Sequence, residues 1–416
     1  METGAETKAR QVWRLAGDSL LVGLCAGAAA IAYRLALQAA KRLPLFALSF
    51  ADGRPLWAAG WFILLAAMAF AVGWLLRWEA KILGGGTAHV AEELAGITDA
   101  KWWKVLFAKM AAGVICGAGG LSLGREGPSV QLGAMAGKGA AAMLKKRPRE
   151  HRRLLGACGA GAGLAAAFNA PLTGIVFVIE GLHKKVSPQI LCTVLVAEMS
   201  ADFLSKLVFG TEPILPLQLG QMLELRAYWI LPVLGVVCAL FGSFYKWAAV
   251  SSNRLLASFD GVPAEMRPTA AFLLSGAAGF FAPELLGDGH ALAETLSMGG
   301  IALRWILFLL PAKLLFTAFC SASGAPGGVY FPVLVIGGLI GAAAFAPAAA
   351  MLGLSQSMLP NFIVLAMAGF FAAVVEAPLT GMLLVCEMAG SFPHMLSMAI
   401  VSAAAYVTSL ALDGKR

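Results

Sequence analysis

Apolar residues run in long blocks along this chain, over roughly 16–40, 57–77, 105–143, 154–179, 190–209, 226–250, 269–286, 301–320, 329–352, 360–386 and 395–412. Several blocks exceed the ~20 residues that carry a helix across a bilayer. Others are short or punctuated by Gly and Pro, and the block over 105–143 is broken by Arg125-Glu126. The pattern predicts tilted, broken and re-entrant helices rather than an even up-and-down bundle. In lipid, a broken helix is tolerated only where its freed backbone groups face protein or a watery cavity. Each break therefore marks a place where the chain does something other than span.

The breaks repeat. Gly124-Arg125-Glu126-Gly127-Pro128 returns as Gly328-Val329-Tyr330-Phe331-Pro332, an offset of 204 residues (124 to 328), with Tyr330 in place of Glu126. Ala170-Pro171-Leu172-Thr173-Gly174 returns letter for letter as Ala377-Pro378-Leu379-Thr380-Gly381, an offset of 207 (170 to 377). Each of these copies is followed by a Glu ten residues from its Ala, Glu180 and Glu387, which predicts a structural role common to both. The expected organisation is one integral membrane domain, 1–416, made of two half-repeats over about 16–209 and 226–412. Internal duplication is the sequence mark of many secondary transporters, whose substrate site lies between the halves. The letters leave parallel and inverted duplication both open.

Composition agrees. The chain is 59% hydrophobic and 13% charged, against about 25% charged in soluble domains. Its net charge of +8 is concentrated in short polar stretches, with Lys145, Lys146, Arg147, Arg149, Arg152 and Arg153 in one cluster and Lys8, Arg10 and Arg14 in another. Basic loops gather on the cytoplasmic side, so both clusters and the N-terminus are placed inside. Anionic membrane lipids are their expected contact, and no aromatic interleaving points to nucleic acid. The seven Cys stand singly in apolar blocks and the five His show no metal-ligand spacing, so neither a metal nor a cofactor is expected. Ser321-Ala322-Ser323-Gly324 resembles a serine-nucleophile loop but has no His partner to nominate, so an enzyme is not expected. The run Gly159-Ala160-Gly161-Ala162-Gly163 reads as close helix packing rather than a dinucleotide loop. The first 15 residues are too polar for a signal-peptide core, and the chain stops soon after its last apolar block, so no sizeable cytosolic domain is expected.

The chemistry sits at the breaks. A half-helix N-terminus offers unpaired N–H groups and about half a positive charge, a ready anion site. Gly124–Pro128, Gly328–Pro332 and Gly84-Gly85-Gly86-Thr87-Ala88 all read as such openings. Helix N-termini hold an anion without a full positive charge, and a weaker hold lets it leave. The Glu126 carboxylate can occupy that site itself and quit it when protonated, which makes a proton-operated gate. A structural Glu126–Arg125 ion pair is the other reading. Lys313 is expected to pair with Glu376 or Glu387 or to snorkel, and Asp288 and His290 read as loop residues.

These residues resemble the CLC chloride channels and proton/chloride exchangers. Gly124-Arg125-Glu126-Gly127-Pro128 matches the family's gating-glutamate motif, and Gly328-Val329-Tyr330-Phe331-Pro332 its GxFxP motif with Tyr330 at the Phe position. Ser323-Gly324-Ala325-Pro326-Gly327-Gly328 and Gly163-Leu164-Ala165-Ala166-Ala167-Phe168-Asn169-Ala170-Pro171-Leu172 are also typical. The resemblance implies an all-α polytopic membrane protein with two related halves in inverted, antiparallel topology, and a homodimer with one pore per subunit. It implies exchange of a small monovalent anion such as chloride for protons, with Glu126 as gate and proton acceptor. A passive anion channel is the alternative. The implied anion-binding residues are Gly85, Gly86, Thr87, Arg125, Glu126, Gly127, Val329, Tyr330 and Phe331, and the implied membrane is a bacterial plasma membrane.

Three departures stand out. Gly85 takes the place of the serine of the family's GSGIP motif, and Thr87 reaches the site only if the loop slips by two. Gly181 takes the place of the second, inner glutamate of many exchangers, leaving Glu180 and His183 as the candidate proton path. The family's pore tyrosine in its last helix falls beyond Arg416, and the CBS domains found in many relatives are not expected.

Overall fold

A computed structural model describes residues 2–51, 53–144, 148–183, 187–215, 217, 219–259 and 261–414. Among them are seventeen α-helices and no strand. The first half comprises α1 (Glu2–Ala40), α2 (Arg42–Ala51), α3 (Pro55–Trp78), α4 (Thr87–Ala95), α5 (Trp102–Ala118), α6 (Glu126–Met143), α7 (Arg149–Phe168), α8 (Pro171–Phe177) and α9 (Pro188–Phe209). The second comprises α10 (Ile230–Ala257), α11 (Pro268–Phe281), α12 (His290–Ser297), α13 (Leu303–Ala322), α14 (Tyr330–Leu352), α15 (Leu359–Val375), α16 (Pro378–Ala389) and α17 (Met395–Asp413). Seven helical stretches among the described residues are long and apolar enough to cross a membrane, and α8 and α16 are too short. Lys145, Lys146 and Arg147 of the basic cluster lie outside the described residues.

The halves repeat helix by helix. α6 lies along α7 as α14 lies along α15, and α9 crosses α1 and α7 as α17 crosses α10 and α15. The blocks over 154–179 and 360–386 each fold as two helices rather than one. Both are cut at Ala-Pro, because proline pushes the residue before it out of helical geometry and then starts a new helix well. The residues just before, Asn169 (φ 50°) and Glu376 (φ 61°), are the two non-glycine residues in the left-handed region among those described. The duplication written in the letters is thus also written in the backbone.

The halves are antiparallel, and equivalent segments of the two meet where they join. Gly124 and Gly328 form an antiparallel bridge, each N–H donating to the other's carbonyl at 2.6 and 2.8 Å. The Glu387 carboxylate accepts from the N–H groups of Leu172 and Thr173, at 3.0 and 2.7 Å, and from the Thr173 hydroxyl. Its twin Glu180 accepts from Leu379 N–H at 3.3 Å, from Thr380 N–H at 2.9 Å and from the Thr380 hydroxyl. Each carboxylate thus satisfies the exposed first turn of the other half's short helix, where donors lack partners and the dipole favours a negative charge.

Small residues hold α6 against α7. A Cβ on Gly133 would stand 2.2 Å from the Gly159 carbonyl, and one on Gly163 2.1 Å from the Ser129 carbonyl. The 159–163 run is a packing surface, as its composition predicts.

Candidate functional site

Three helix N-termini converge on Gly127. A Cβ there would meet the Gly85 carbonyl at 2.8 Å and the Gly328 Cα at 3.2 Å, so the turns before α4, α6 and α14 touch one another. The Gly84 N–H donates to Gly324 and the Gly327 N–H donates back to Gly84, both at 3.1 Å. Gly86 takes φ 90° at the mouth of α4, where a side chain would strike Gln131. Gln131 in turn donates to the Lys81 carbonyl at 2.7 Å. Helix N-termini brought this close together form the kind of place where backbone N–H groups and helix dipoles favour an anion.

Glu126 occupies this centre. Its side chain is fully buried and turned back over the bridge, with Oε2 2.1 Å from where a Cβ on Gly124 would lie and 2.9 Å from one on Gly328. Neither oxygen has a hydrogen-bond partner among the described residues. Only glycines can flank it so closely, which accounts for the first glycine of both copies of the motif.

Arg125 does not pair with Glu126. Its Nε donates to the Ala167 carbonyl at 3.1 Å, and the side chain lines a vestibule of about 890 Å³ with Arg34, Lys41, Asn169, Asp288 and His290. The structural ion-pair reading is therefore corrected, because residues adjacent in sequence point apart at a helix start. Tyr330 is half-buried, its ring edge-on to Phe371 at 5.2 Å and its hydroxyl beside Thr87. Thr87 is the first residue of α4, directly after Gly86. Val329 precedes α14 as its cap, and the Phe331 ring leaves the site to stack on Phe168 at 6.4 Å. Glu180 lies apart from this cluster, committed to α16. His183 ends the π-helical turn Val178–His183, and the structure describes its backbone alone.

Several residues escape the sequence reading. Lys313 bonds no carboxylate among the described residues. Its ammonium donates to the carbonyls of Leu285 and Gly287, at 2.7 and 2.9 Å. Lys109 does the same in the first half, donating to Ile82 at 2.8 Å and to Gly84. The two lysines stand 204 residues apart (109 to 313), the offset of the Gly-Pro motif, and that spacing is the signal that could have found them. Glu376, an expected partner of Lys313, pairs instead with Lys246 at 2.6 Å. Asp288 is no loop spectator either. It is buried, bonded to Lys41, and its Oδ1 accepts from the His290 N–H at the start of α12 at 3.4 Å.

A helical membrane protein that aims broken-helix N-termini at a buried carboxylate beneath a wide vestibule is of the anion-transport class. Residues 67–410 match the family model of the voltage gated chloride channel, and the chain belongs to that family. It is 31% identical over 407 residues to the H(+)/Cl(-) exchange transporter ClcA of Vibrio cholerae serotype O1 strain M66-2, covering 95% of this chain and 86% of that protein. It is 32% identical over 368 residues to ClcA of Vibrio vulnificus strain YJ016, covering 87% of this chain and 78% of that protein. Among solved structures, a slow cyanobacterial Cl-/H+ antiporter superposes with a TM-score of 0.90 at 24% identity, covering 97% of this chain and 95% of that one. A CLC-type fluoride/proton antiporter superposes with a TM-score of 0.78 at 21% identity, covering 95% of each chain. Both share the fold.

Proposed function

We propose that this chain exchanges a small monovalent anion, chloride first, for protons, and is a transporter rather than an enzyme. The carrying observation is the unbonded Glu126 carboxylate seated at the meeting of three helix N-termini. Protonation removes its attraction to those N-termini and frees the seat for the anion, and departure of the anion draws the carboxylate back. Gly85, Gly86, Thr87, Arg125, Gly127, Val329, Tyr330 and Phe331 are the proposed anion-binding set, mostly through backbone N–H groups, with Thr87 and Tyr330 as hydroxyl donors. The relatives named for proton/chloride exchange support the reading. One observation favours a passive channel instead: Gly181 lacks a carboxylate and Glu180 is committed to α16.

Proteoliposomes decide between them. A chloride gradient alone, with the membrane potential clamped, is expected to drive protons uphill. Chloride flux with no proton movement would make the protein a channel.

The proposed setting is a bacterial plasma membrane, with the half-repeats at 16–209 and 226–412 and the basic clusters on the cytoplasmic side. There Arg149, Arg152, Arg153 and Lys138 line a cavity of about 460 Å³ that suits anionic lipid headgroups. We also propose a homodimer. The carboxylate-capped first turns of α8 and α16 leave Leu172 and Leu379 exposed, beside the exposed stripe Leu191, Leu195, Met199, Phe203 and Leu207 on α9. Backbone polar groups and half-buried carboxylates facing lipid are costly, and a second copy would cover them. The double variant Leu195→Trp, Phe203→Ala is expected to shift subunit counting by single-molecule photobleaching from two steps to one. Two steps retained would place the interface elsewhere.

A further inference from the structure

Among the described residues the fully or nearly buried acids are Asp18, Glu126, Glu198, Asp202 and Asp288. Asp18 bonds His151, Asp202 bonds Lys206 and Asp288 bonds Lys41. Glu126 and Glu198 alone in this group have neither oxygen bonded. A carboxylate kept in a membrane interior without a partner is costly and marks function by default.

Glu198 stands in a seat made for it. It lies on α9 and is fully buried. A Cβ on Gly161 of α7 would stand 2.1 Å from its Oε1, and one on Gly174 of α8 2.3 Å from its Oε2. Two glycines flank this carboxylate, as Gly124 and Gly328 flank that of Glu126.

Its depth places it beyond the gate. Arg125 bonds the α7 backbone at Ala167, and Gly161 lies six residues earlier on that helix, about 9 Å along its axis. That direction leads away from the vestibule, toward the end of α7 that carries Arg149. From Gly174, α8 continues the same way into the turn that holds Glu180 and Gly181.

We infer that Glu198 is the second proton acceptor of the exchange cycle, taking over the task for which residue 181 offers no side chain. This rests on the exchange reading above. The protonated Glu126 carboxyl gives up its proton as the anion site reopens, water relays it, and the Glu198 carboxylate binds it. Glu126 is left as carboxylate and Glu198 as carboxylic acid, and Glu198 then releases the proton toward the cytoplasmic side. The groups that bear on its titration come from every neighbouring element. Cys158 stands near it on α7. Glu387 holds Thr173, next to Gly174, at the mouth of α8. Asp202 and Lys206 follow one and two turns along α9. α1 presents Gly23 and Gly27 to α9, against Ala197, Ser200 and Ala201.

The test compares wild type, Glu198→Gln and Glu198→Asp in proteoliposomes, following chloride and proton fluxes together with the pH-dependent infrared band of protonated carboxyls. Glu198→Gln is expected to keep chloride flux within about twofold while proton flux falls at least about tenfold. Glu198→Asp is expected to restore proton flux in part, and the band assigned by difference to residue 198 should vanish in the Gln variant. Unchanged proton coupling in Glu198→Gln would overturn the assignment, as would equal loss of both fluxes in the Gln and Asp variants. Failure of the exchange reading is read from wild type alone, as chloride flux without protons. In that case a carboxyl band at 198 that does not titrate still rejects Glu198 as an acceptor.

Discussion

Glu126→Gln is expected to abolish proton movement while anion flux persists. The amide is nearly the shape of the carboxyl, so the seat between Gly124 and Gly328 stays filled or vacated by an uncharged group of equal size. It carries no proton and is not drawn to the N-termini of α4, α6 and α14, so anion passage loses its tie to pH. Because neither Glu126 oxygen is hydrogen bonded, the exchange breaks no existing hydrogen bond, and the fold should hold. Paired chloride and proton fluxes in proteoliposomes across pH measure this. Proton coupling that survived in Glu126→Gln would show that the gate lies elsewhere.

Lys109→Met is expected to cost more stability than any change at the gate. The Lys109 ammonium is wholly buried and donates to the carbonyls of Ile82 and Gly84, the turn that delivers Gly85 and Gly86 to the anion site. Methionine fills the same volume but donates nothing. Two stranded buried carbonyls at about 1–3 kcal/mol each give about 2–6 kcal/mol, a large part of the about 5–15 kcal/mol that holds a domain together. Lys313→Met should cost a similar amount through Leu285 and Gly287. Thermal unfolding in detergent checks both, read from the reactivity of buried cysteines such as Cys116 and Cys320. An unchanged midpoint would mean that these ammonium groups do not hold their turns.

Much of the gate is legible without the structure because broken helices leave coarse marks. Gly and Pro at fixed spacing around one carboxylate, repeated once, specify helix openings and the residue that competes with an anion for them. The lysines and Asp288 are not legible in the same way. A carboxylate partner is the natural expectation for Lys313, because a buried ammonium needs an acceptor, and sequence gives no sight of backbone carbonyls freed by a turn some 28 residues earlier. Glu198 reads as one polar letter in an apolar block, since its meaning depends on Gly161 and Gly174, which belong to other helices.

Membrane embedding, duplication and the places where the helices break can all be read from the order of residues alone. Hydrophobic block length, the conformational limits of Pro and the permissiveness of Gly are local properties that need no partner. How the two halves meet, through the Gly124–Gly328 bridge and the crossed capping by Glu180 and Glu387, is visible only in the folded molecule. So is the turn of Arg125 away from Glu126 to Ala167, and the fact that two of the five buried acids among the described residues stand unbonded. Those facts join groups from 42 to more than 200 residues apart, and a buried charge or hydrogen-bond donor acquires its role only from whatever the fold brings within about 3 Å of it.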